Sequence, residues 1–312
     1  MSELTTRASS INRALDQIGD KWCLLILQEV FWGINSFNDM MEAMGASRGV
    51  LSHLLRRLQE VGCLRRDTGS GGGRRPVYHL TAKSVDLYDN ALMAINWERT
   101  WFSNPALDSV ALIHRNCGQV FTPQTRCVAC NEMVRQEDAS YQPGPGATRD
   151  VREKKVRRRS SLSSDDIPSR RALYRNLINL VGDRWTANVI ALSFYGLARF
   201  DQFHQELPVA TNILTDRLRF LVKEGVYQQV AYQQRPLRYE YRLTQKGADL
   251  YPWFLGLLRW GDRWCDPQGL GQPILVNHSC GSSLVAQVCC SECQQPLKAH
   301  EVQFTRDGEE FN

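Results

Sequence analysis

"IGDKWCLLIL" occupies residues 18–27 and "VGDRWTANVI" residues 181–190, so the second begins 163 residues after the first (181 against 18). Laid on itself at that offset, the sequence aligns far beyond these ten positions. Gly19-Asp20-Lys21-Trp22 meets Gly182-Asp183-Arg184-Trp185, Phe37 meets Phe200, and Gly62 meets Gly225. Tyr78-His79-Leu80-Thr81 meets Tyr241-Arg242-Leu243-Thr244, Lys83 meets Lys246, Trp97 meets Trp260, and Trp101 meets Trp264. Cys117, Cys127 and Cys130 meet Cys280, Cys290 and Cys293. One register held across so many Gly, Trp and Cys positions marks a duplication of the whole unit.

Each copy has the same internal order. Trp22, Leu24, Leu25, Ile26 and Leu27 form an apolar helical stretch, followed by Phe37, Met40, Met41 and Met44 at helical spacing, with Gly45 as the stop. The next helix opens at Ser47, a favoured N-cap residue. Its shared apolar stripe is Val50/Ile213, Leu51/Leu214, Leu55/Leu218 and Leu58/Leu221, spaced for one buried face. The other face carries Arg48, Ser52, His53 and Arg56 in copy one, and Thr211, Asn212, Thr215, Asp216, Arg217 and Arg219 in copy two. These are hydrogen-bonding side chains rather than a Glu/Lys solvation pattern.

After that helix come Leu64 to Asp67, a Gly-rich turn and "PVYHLT", matched in copy two by "VYQQVAYQQRPLRYEYRLT", whose composition and partial alternation are those of a hairpin. A long amphipathic helix follows in each copy, from Ala82 to about Phe102 and from Gln245 to Cys265. Three helices, a hairpin and a helix make a winged helix-turn-helix. In it the third helix can enter a major groove, while Arg74 and Arg75, or Arg235 and Arg238, reach phosphates or the minor groove from the hairpin tip. The expected class is mainly α with small β-hairpins (α+β): two tandem winged helix-turn-helix domains, each followed by a small zinc-ribbon or knuckle-like segment. The expected divisions are a first winged helix at 9–102, a metal-binding segment at 110–138, a flexible basic linker at 139–170, a second winged helix at 172–265 and a second metal-binding segment at 273–304.

These stretches resemble the HxlR-type winged-helix transcriptional regulators of bacteria. "IGDKWCLLILQEVFWG", "SFNDM" and "SRGVLSHLLRRLQEVG" carry the likeness in copy one, and "TNILTDRLRFLVKEG", "YQQRPLRYEYRLTQKG" and "WGDRW" carry it in the closer copy two. The resemblance covers about residues 9–102 and 172–265. It implies double-stranded DNA as partner and a homodimer paired through terminal helices, for which the duplication can supply both halves as a pseudo-dimer within one chain. Where the family carries Arg in its "LSDRL" helix, copy two keeps Arg217 and copy one has Leu54, which implies that copy one reads less sequence and grips more backbone. Some relatives sense oxidants through a cysteine before the first helix. This chain has Ser9 and Ala172 there, so that chemistry does not carry over.

At 312 residues the chain suits two or more domains, and 43% hydrophobic with 23% charged residues is an ordinary globular balance. A net charge of +5 is no proof of an anionic partner. The N-terminus has no apolar signal core and no apolar run reaches the about 18 residues of a membrane span, so a cytoplasmic protein is expected. Between the copies, "SYQPGPGATRDVREKKVRRRSSLSSDD" reads as a linker. Its run Lys154, Lys155, Arg157, Arg158 and Arg159 suits either phosphate contact or a solvated spacer.

Of the ten cysteines, Cys23 and Cys63 read as buried small hydrophobes, whereas six others fall in two clusters. Copy one has His114-x2-Cys117-x9-Cys127-x2-Cys130, two close pairs that can direct four donors to one tetrahedral zinc, with Gly118 fitting the first turn. Copy two has His278-x-Cys280-x9-Cys290-x2-Cys293, with its histidine shifted by one, so that His300 or Cys289 is an alternative fourth ligand. Four protein ligands leave no open position, which points to structural zinc; a redox CxxC pair and unliganded thiols are the competing readings. A catalytic constellation is not recognisable: there is no Ser/His/Asp set or paired carboxylates in a supporting context, and the glycines at 69–73 lack the setting of a phosphate loop. The expectation is a sequence-specific regulator, with a small-molecule effector accommodated between the long helices and the winged cores. The alternative from another class is a zinc-ribbon adaptor that binds proteins.

Overall fold

The computed structural model describes residues 4–68, 76–152, 173–266, 268–306 and 309–310. Copy one comprises β1 (Leu4–Arg7), α1 (Ser10–Ile18), α2 (Lys21–Phe31), α3 (Phe37–Met44), α4 (Arg48–Glu60), β2 (Leu64–Asp67), β3 (Val77–Leu80), α5 (Ala82–Val85), α6 (Tyr88–Trp101), α7 (Pro105–Asp108), β4 (Val110–His114), β5 (Gln119–Val120), β6 (Pro123–Cys127), β7 (Ala139–Pro143) and β8 (Arg149–Arg152). Copy two comprises α8 (Arg175–Val181), α9 (Arg184–Phe194), α10 (Phe200–Glu206), α11 (Thr211–Lys223), β9 (Tyr227–Gln234), β10 (Leu237–Leu243), α12 (Gln245–Ala248), α13 (Tyr251–Trp264), β11 (Ile274–His278), β12 (Ala286–Cys290), β13 (Val302–Arg306) and β14 (Glu309–Glu310).

The repeated Gly-Asp-(Lys/Arg)-Trp is a helix start. Asp20 caps α2 by accepting from the Trp22 N–H, and Asp183 caps α9 by accepting from the Thr186 N–H at 2.9 Å, each satisfying an orphan donor of the first turn. Gly45 ends α3 at φ 62, a left-handed cap that a side chain would strain, and Ser47 caps α4 by accepting from Val50. Leu51, Leu55 and Leu58 of α4, and Leu214, Leu218 and Leu221 of α11, are at most 1% exposed. α4 packs on α2 and α11 on α9. Val50, expected in the buried stripe, is 41% exposed. At about 100° per residue it lies one step round the helix from Leu51, outside the face that Leu51, Leu54, Leu55 and Leu58 bury.

Each long helix is broken in two. α5 ends at Val85 and α6 starts at Tyr88, with Asp86 N–H closing on Ala82 O; α12 ends at Ala248 and α13 starts at Tyr251, with Asp249 N–H closing on Gln245 O and Pro252 in the first turn of α13. Trp97 and Trp260 are core residues, at 3% and 0% exposure.

The chain forms two compact units that do not follow the copies. One holds the described parts of 1–16, 126–161 and 183–286, and the other those of 17–125, 162–182 and 287–312. Each winged helix is therefore completed by the leading segment and the trailing strands of the other copy. In the unit built on copy two, Ser10 of α1 donates to Asp262 at 2.5 Å, Arg184 donates to Asn12 at 2.8 Å and ion-pairs with Asp16, and Arg13 forms a two-point ion pair with Asp150 of β8. Gly261 permits this approach, since a Cβ there would lie 2.3 Å from Ser10 O. In the unit built on copy one, the aligned position is Glu98, which accepts from the N–H groups of Asn176 and Leu177 at the start of α8. A carboxylate at a helix N-terminus satisfies orphan donors and opposes the helix dipole.

Residues 139–152, expected inside a flexible linker, are ordered. β7 pairs antiparallel with β11, Ala139 opposite His278 and Pro143 opposite Ile274, and β8 pairs with β1, Thr6 opposite Asp150. The glycines of "PGPG" serve close backbone approach, because a Cβ on Gly144 would lie 2.1 Å from Gln272 O and one on Gly146 2.2 Å from Gly271 O. In the other unit β13 pairs with β4, Val302 opposite His114, and β5 extends that sheet. The basic run at residues 154–159 and Ala172 lie outside the described residues.

Candidate nucleic-acid interface and metal centres

α11 turns Thr211, Asn212, Asp216 and Arg219 fully outward, with Thr215 half-buried and its hydroxyl donating to Thr211 O at 2.8 Å. Arg217 is engaged within the protein. Its Nε and Nη2 donate to the two carboxylate oxygens of Asp183 at 2.8 and 3.0 Å, so the residue that caps α9 also braces α11. The spacing that placed Arg217 among base-reading residues did not reveal this partner, which lies 34 positions away. In copy one the aligned Leu54 is buried at 6% exposure and has no charge with which to form such an ion pair.

α4 exposes Arg48, His53 and Arg56, with Ser52 half-buried. Arg48 sits over the Phe37 ring at 5.6 Å. Val50, assigned to the core by its apolarity, joins this outward face; its aligned partner Ile213 is half-exposed too. Its position on the 3.6-residue period was the signal that could have found it.

The copy-two hairpin carries Arg235 and Arg238 at its exposed tip. Its base is held by Tyr241 N–H donating to Ala198 O at 2.7 Å, and by Glu240, which accepts from Arg199 at 3.1 Å and from Arg242 at 2.9 Å. These two guanidiniums, Arg242 foremost, hold the Glu240 carboxyl below its ordinary range. Arg199 also lies over the Tyr232 ring at 4.2 Å. Arg74 and Arg75, expected at the tip of the copy-one hairpin, lie outside the described residues.

The eight Cys and His residues form two tetrads, grouped differently from the sequence expectation. His114 and Cys117 meet Cys290 and Cys293, while Cys127 and Cys130 meet His278 and Cys280; within each tetrad the donor atoms lie within 4.8 Å of one another. His114 Nδ1 is 3.2 Å from Cys293 Sγ and 3.4 Å from Cys117 Sγ, Cys117 and Cys290 Sγ are 3.9 Å apart, and His278 Nδ1 is 3.5 Å from Cys130 Sγ. Zinc bonds of about 2.3 Å to sulfur and about 2.0 Å to nitrogen, at the tetrahedral angle, put donors about 3.5–3.8 Å apart. The residues present therefore fit a Cys3His tetrahedral ion.

All four close pairs lie on tight turns followed by a left-handed residue: Gly118 at φ 69, Asn131 at 60, Gly281 at 86 and Gln294 at 59. Asn131 N–H bonds to Cys127 O at 2.8 Å and Gln294 N–H to Cys290 O at 3.0 Å, which folds each CxxC so that both thiols face one point. Glu292 N–H donates to Cys290 Sγ at 3.4 Å. The one-residue shift of His278 is absorbed by strand register. β11 also runs one residue late, so His278 and His114 occupy the same strand end, each opposite the first residue of its paired strand. His300 is exposed beside Glu301, and Cys289 belongs to neither tetrad. The Nδ1 atoms of His114 and His278 face the sulfurs, while their Nε2 atoms are buried with no hydrogen-bond partner among the described residues. A hydrogen bond with His278, helped by the Ser282 N–H, draws the Cys280 thiol down to about 6, while burial pushes Cys290 up to about 11.

Two helix-turn-helix motifs with antiparallel hairpins behind them define a duplicated winged-helix protein. The HxlR-like helix-turn-helix family model matches residues 17–105 and 180–269, together more than half of the chain, and the chain belongs to that family. The HTH-type transcriptional regulator Rv3095 of Mycobacterium tuberculosis is 37% identical over 126 residues, covering 40% of this chain and 79% of that protein. The HTH-type transcriptional regulator YvaP of Bacillus subtilis is 31% identical over 98 residues, covering 31% of this chain and 91% of its own length. The reduced form of the transcriptional regulator YodB from B. subtilis, a solved structure, is 26% identical, covers 30% of this chain and 93% of its own, and superposes with a TM-score of 0.27. Among the described residues no helix is long and apolar enough to cross a membrane.

Proposed function

We propose that the chain is a sequence-specific DNA-binding transcriptional regulator, with α11 as its principal reading helix and structural zinc in the two tetrads. The observation that carries this reading is the outward face of α11. Thr211, Asn212, Asp216 and Arg219 stand exposed on a helix anchored from behind by Leu214, Leu218 and Leu221 and braced by Arg217. Asn212 can bond the adenine edge and Arg219 the guanine edge in a major groove. Arg235 and Arg238 supply phosphate contacts from the wing, which position without specifying. α4 offers Arg48, Ser52, His53 and Arg56 for backbone, with Val50 suited to a thymine methyl. Each unit draws segments from both copies, which supports a pseudo-dimer completed within one chain. Zinc in a closed four-ligand set supplies folding energy rather than chemistry.

The test is selection of source-genome fragments by the purified protein at physiological salt, followed by binding of the recovered sequence. Arg219→Ala is expected to lose about 1–3 kcal/mol of discrimination between matched and mismatched sites. Arg235→Ala with Arg238→Ala is expected to weaken matched and random DNA alike and to lower the salt slope by about 1 per residue. Recovery of no enriched sequence, or equal loss on matched and random DNA with Arg219→Ala, would refute base reading by α11.

A further inference from the structure

We infer that the two metal ions are shared between the repeats, each clasping a His/Cys pair from one copy to the CxxC knuckle of the other. This rests on the reading of the tetrads as metal sites and adds which chain segments each ion joins. The first tetrad links donors 173 residues apart in sequence, Cys117 to Cys290, and the second links Cys130 to His278 across 148 residues.

The exchange is written into the strands and side chains around the ligands. β13 of copy two lies on β4 of copy one, bringing Val302 opposite His114, and β7 of copy one lies on β11 of copy two, bringing Ala139 opposite His278. Phe304 of β13 packs edge-on against Trp32 at 4.7 Å, and Tyr141 of β7 packs edge-on against Tyr195 at 4.8 Å. These are equivalent positions in the repeat, so the trailing strand of each copy carries an aromatic that docks on the winged helix of the other. Backbone bonds extend the pattern, with Arg115 N–H on Glu301 O at 2.8 Å and Ser279 N–H on Asp138 O at 2.8 Å. His114 and Cys117 belong to one compact unit and Cys127 and Cys130 to the other. A zinc ion held by three thiolates and one imidazole closes each crossing, each thiol giving its proton to solvent as the bond forms.

Metal stoichiometry of the purified full-length chain separates shared from within-copy ligation. The wild type is expected to hold two zinc ions, Cys117→Ser with Cys290→Ser one, and Cys117→Ser with Cys127→Ser none. The reverse pattern, none for the first pair and one for the second, would overturn the sharing and leave the metal reading intact. A wild type that retains no metal would overturn the metal reading itself. Should the variants misfold, cadmium-113 exchanged into the wild type reads the same connectivity through correlations to cysteine β-protons. One ion is expected to couple to Cys117, Cys290 and Cys293 and the other to Cys127, Cys130 and Cys280. An ion coupled to Cys117, Cys127 and Cys130 together would refute the clasp.

Discussion

Removing the carboxylate of Glu98 should loosen α8 and leave α1 untouched. Glu98 is fully buried on α6 and accepts from Asn176 N–H at 3.1 Å, Leu177 N–H at 3.3 Å and the Asn176 side-chain amide at 2.7 Å. The two backbone groups are orphan donors of the first turn of α8, and Leu177 is itself buried. Glu98→Ala leaves a buried N–H without its acceptor, at about 1–3 kcal/mol, and removes a charge from the positive end of the helix, worth about 0.3–1 kcal/mol or somewhat more when buried. The sum is about 2–4 kcal/mol. Glu98→Gln keeps an acceptor oxygen and loses only the charge-dependent part, about 1 kcal/mol. Hydrogen exchange followed by mass spectrometry reads this locally. In Glu98→Ala, peptides covering α8 should exchange roughly 30- to 1000-fold faster at fixed conditions, the factor that about 2–4 kcal/mol sets on an opening equilibrium. Peptides covering α1 up to Asp16 belong to the other unit, where Gly261 occupies the aligned position and supplies space instead of an acceptor, and should be unchanged. Unaltered exchange in α8 would refute the capping role, and equal acceleration of α1 and α8 would show a global loss of stability.

Two further perturbations follow from the same geometry. Gly144→Ala puts a Cβ against the Gln272 carbonyl, so the β7–β11 ladder must shift; a loss of about 1–3 kcal/mol in thermal unfolding is expected, whereas Gly49→Ala, which meets open space on α4, should be neutral or stabilise by up to about 1 kcal/mol. Arg217 and Asp183 are each about one-third exposed, so a double-mutant cycle on stability should give a coupling of about 0.5–1 kcal/mol, and a coupling of zero would remove the brace from the account of α11.

Much of the local structure was legible because it depends on neighbours in sequence. The left-handed stop at Gly45, the Ser47 cap and the leucine stripe of α4 and α11 are all set within a turn or two of chain; so are the Asp20 and Asp183 caps, which in the sequence stood out only as markers of the repeat. Val50 was misplaced because apolarity alone does not say which side of the Leu51 line a residue falls. "PGPG" read as linker because proline and glycine break helices, and only the backbone of Gln272 and Gly271 reveals that the glycines are there for close contact. The ion pair of Arg217 was not legible because its carboxylate partner, Asp183, lies 34 positions away in sequence.

The sequence by itself determined that there are two copies, that each is a helix-turn-helix with a wing, and that each carries a His/Cys pair and a CxxC knuckle. Tertiary structure alone decided which pair meets which knuckle. Two copies of one motif offer each half-site two chemically equivalent partners, and composition and spacing are the same for both. The choice is made by contacts between distant segments: the register of β13 on β4 and of β7 on β11, the aromatic pairs Trp32–Phe304 and Tyr141–Tyr195, and the fit of α1 against Gly261 and of α8 against Glu98.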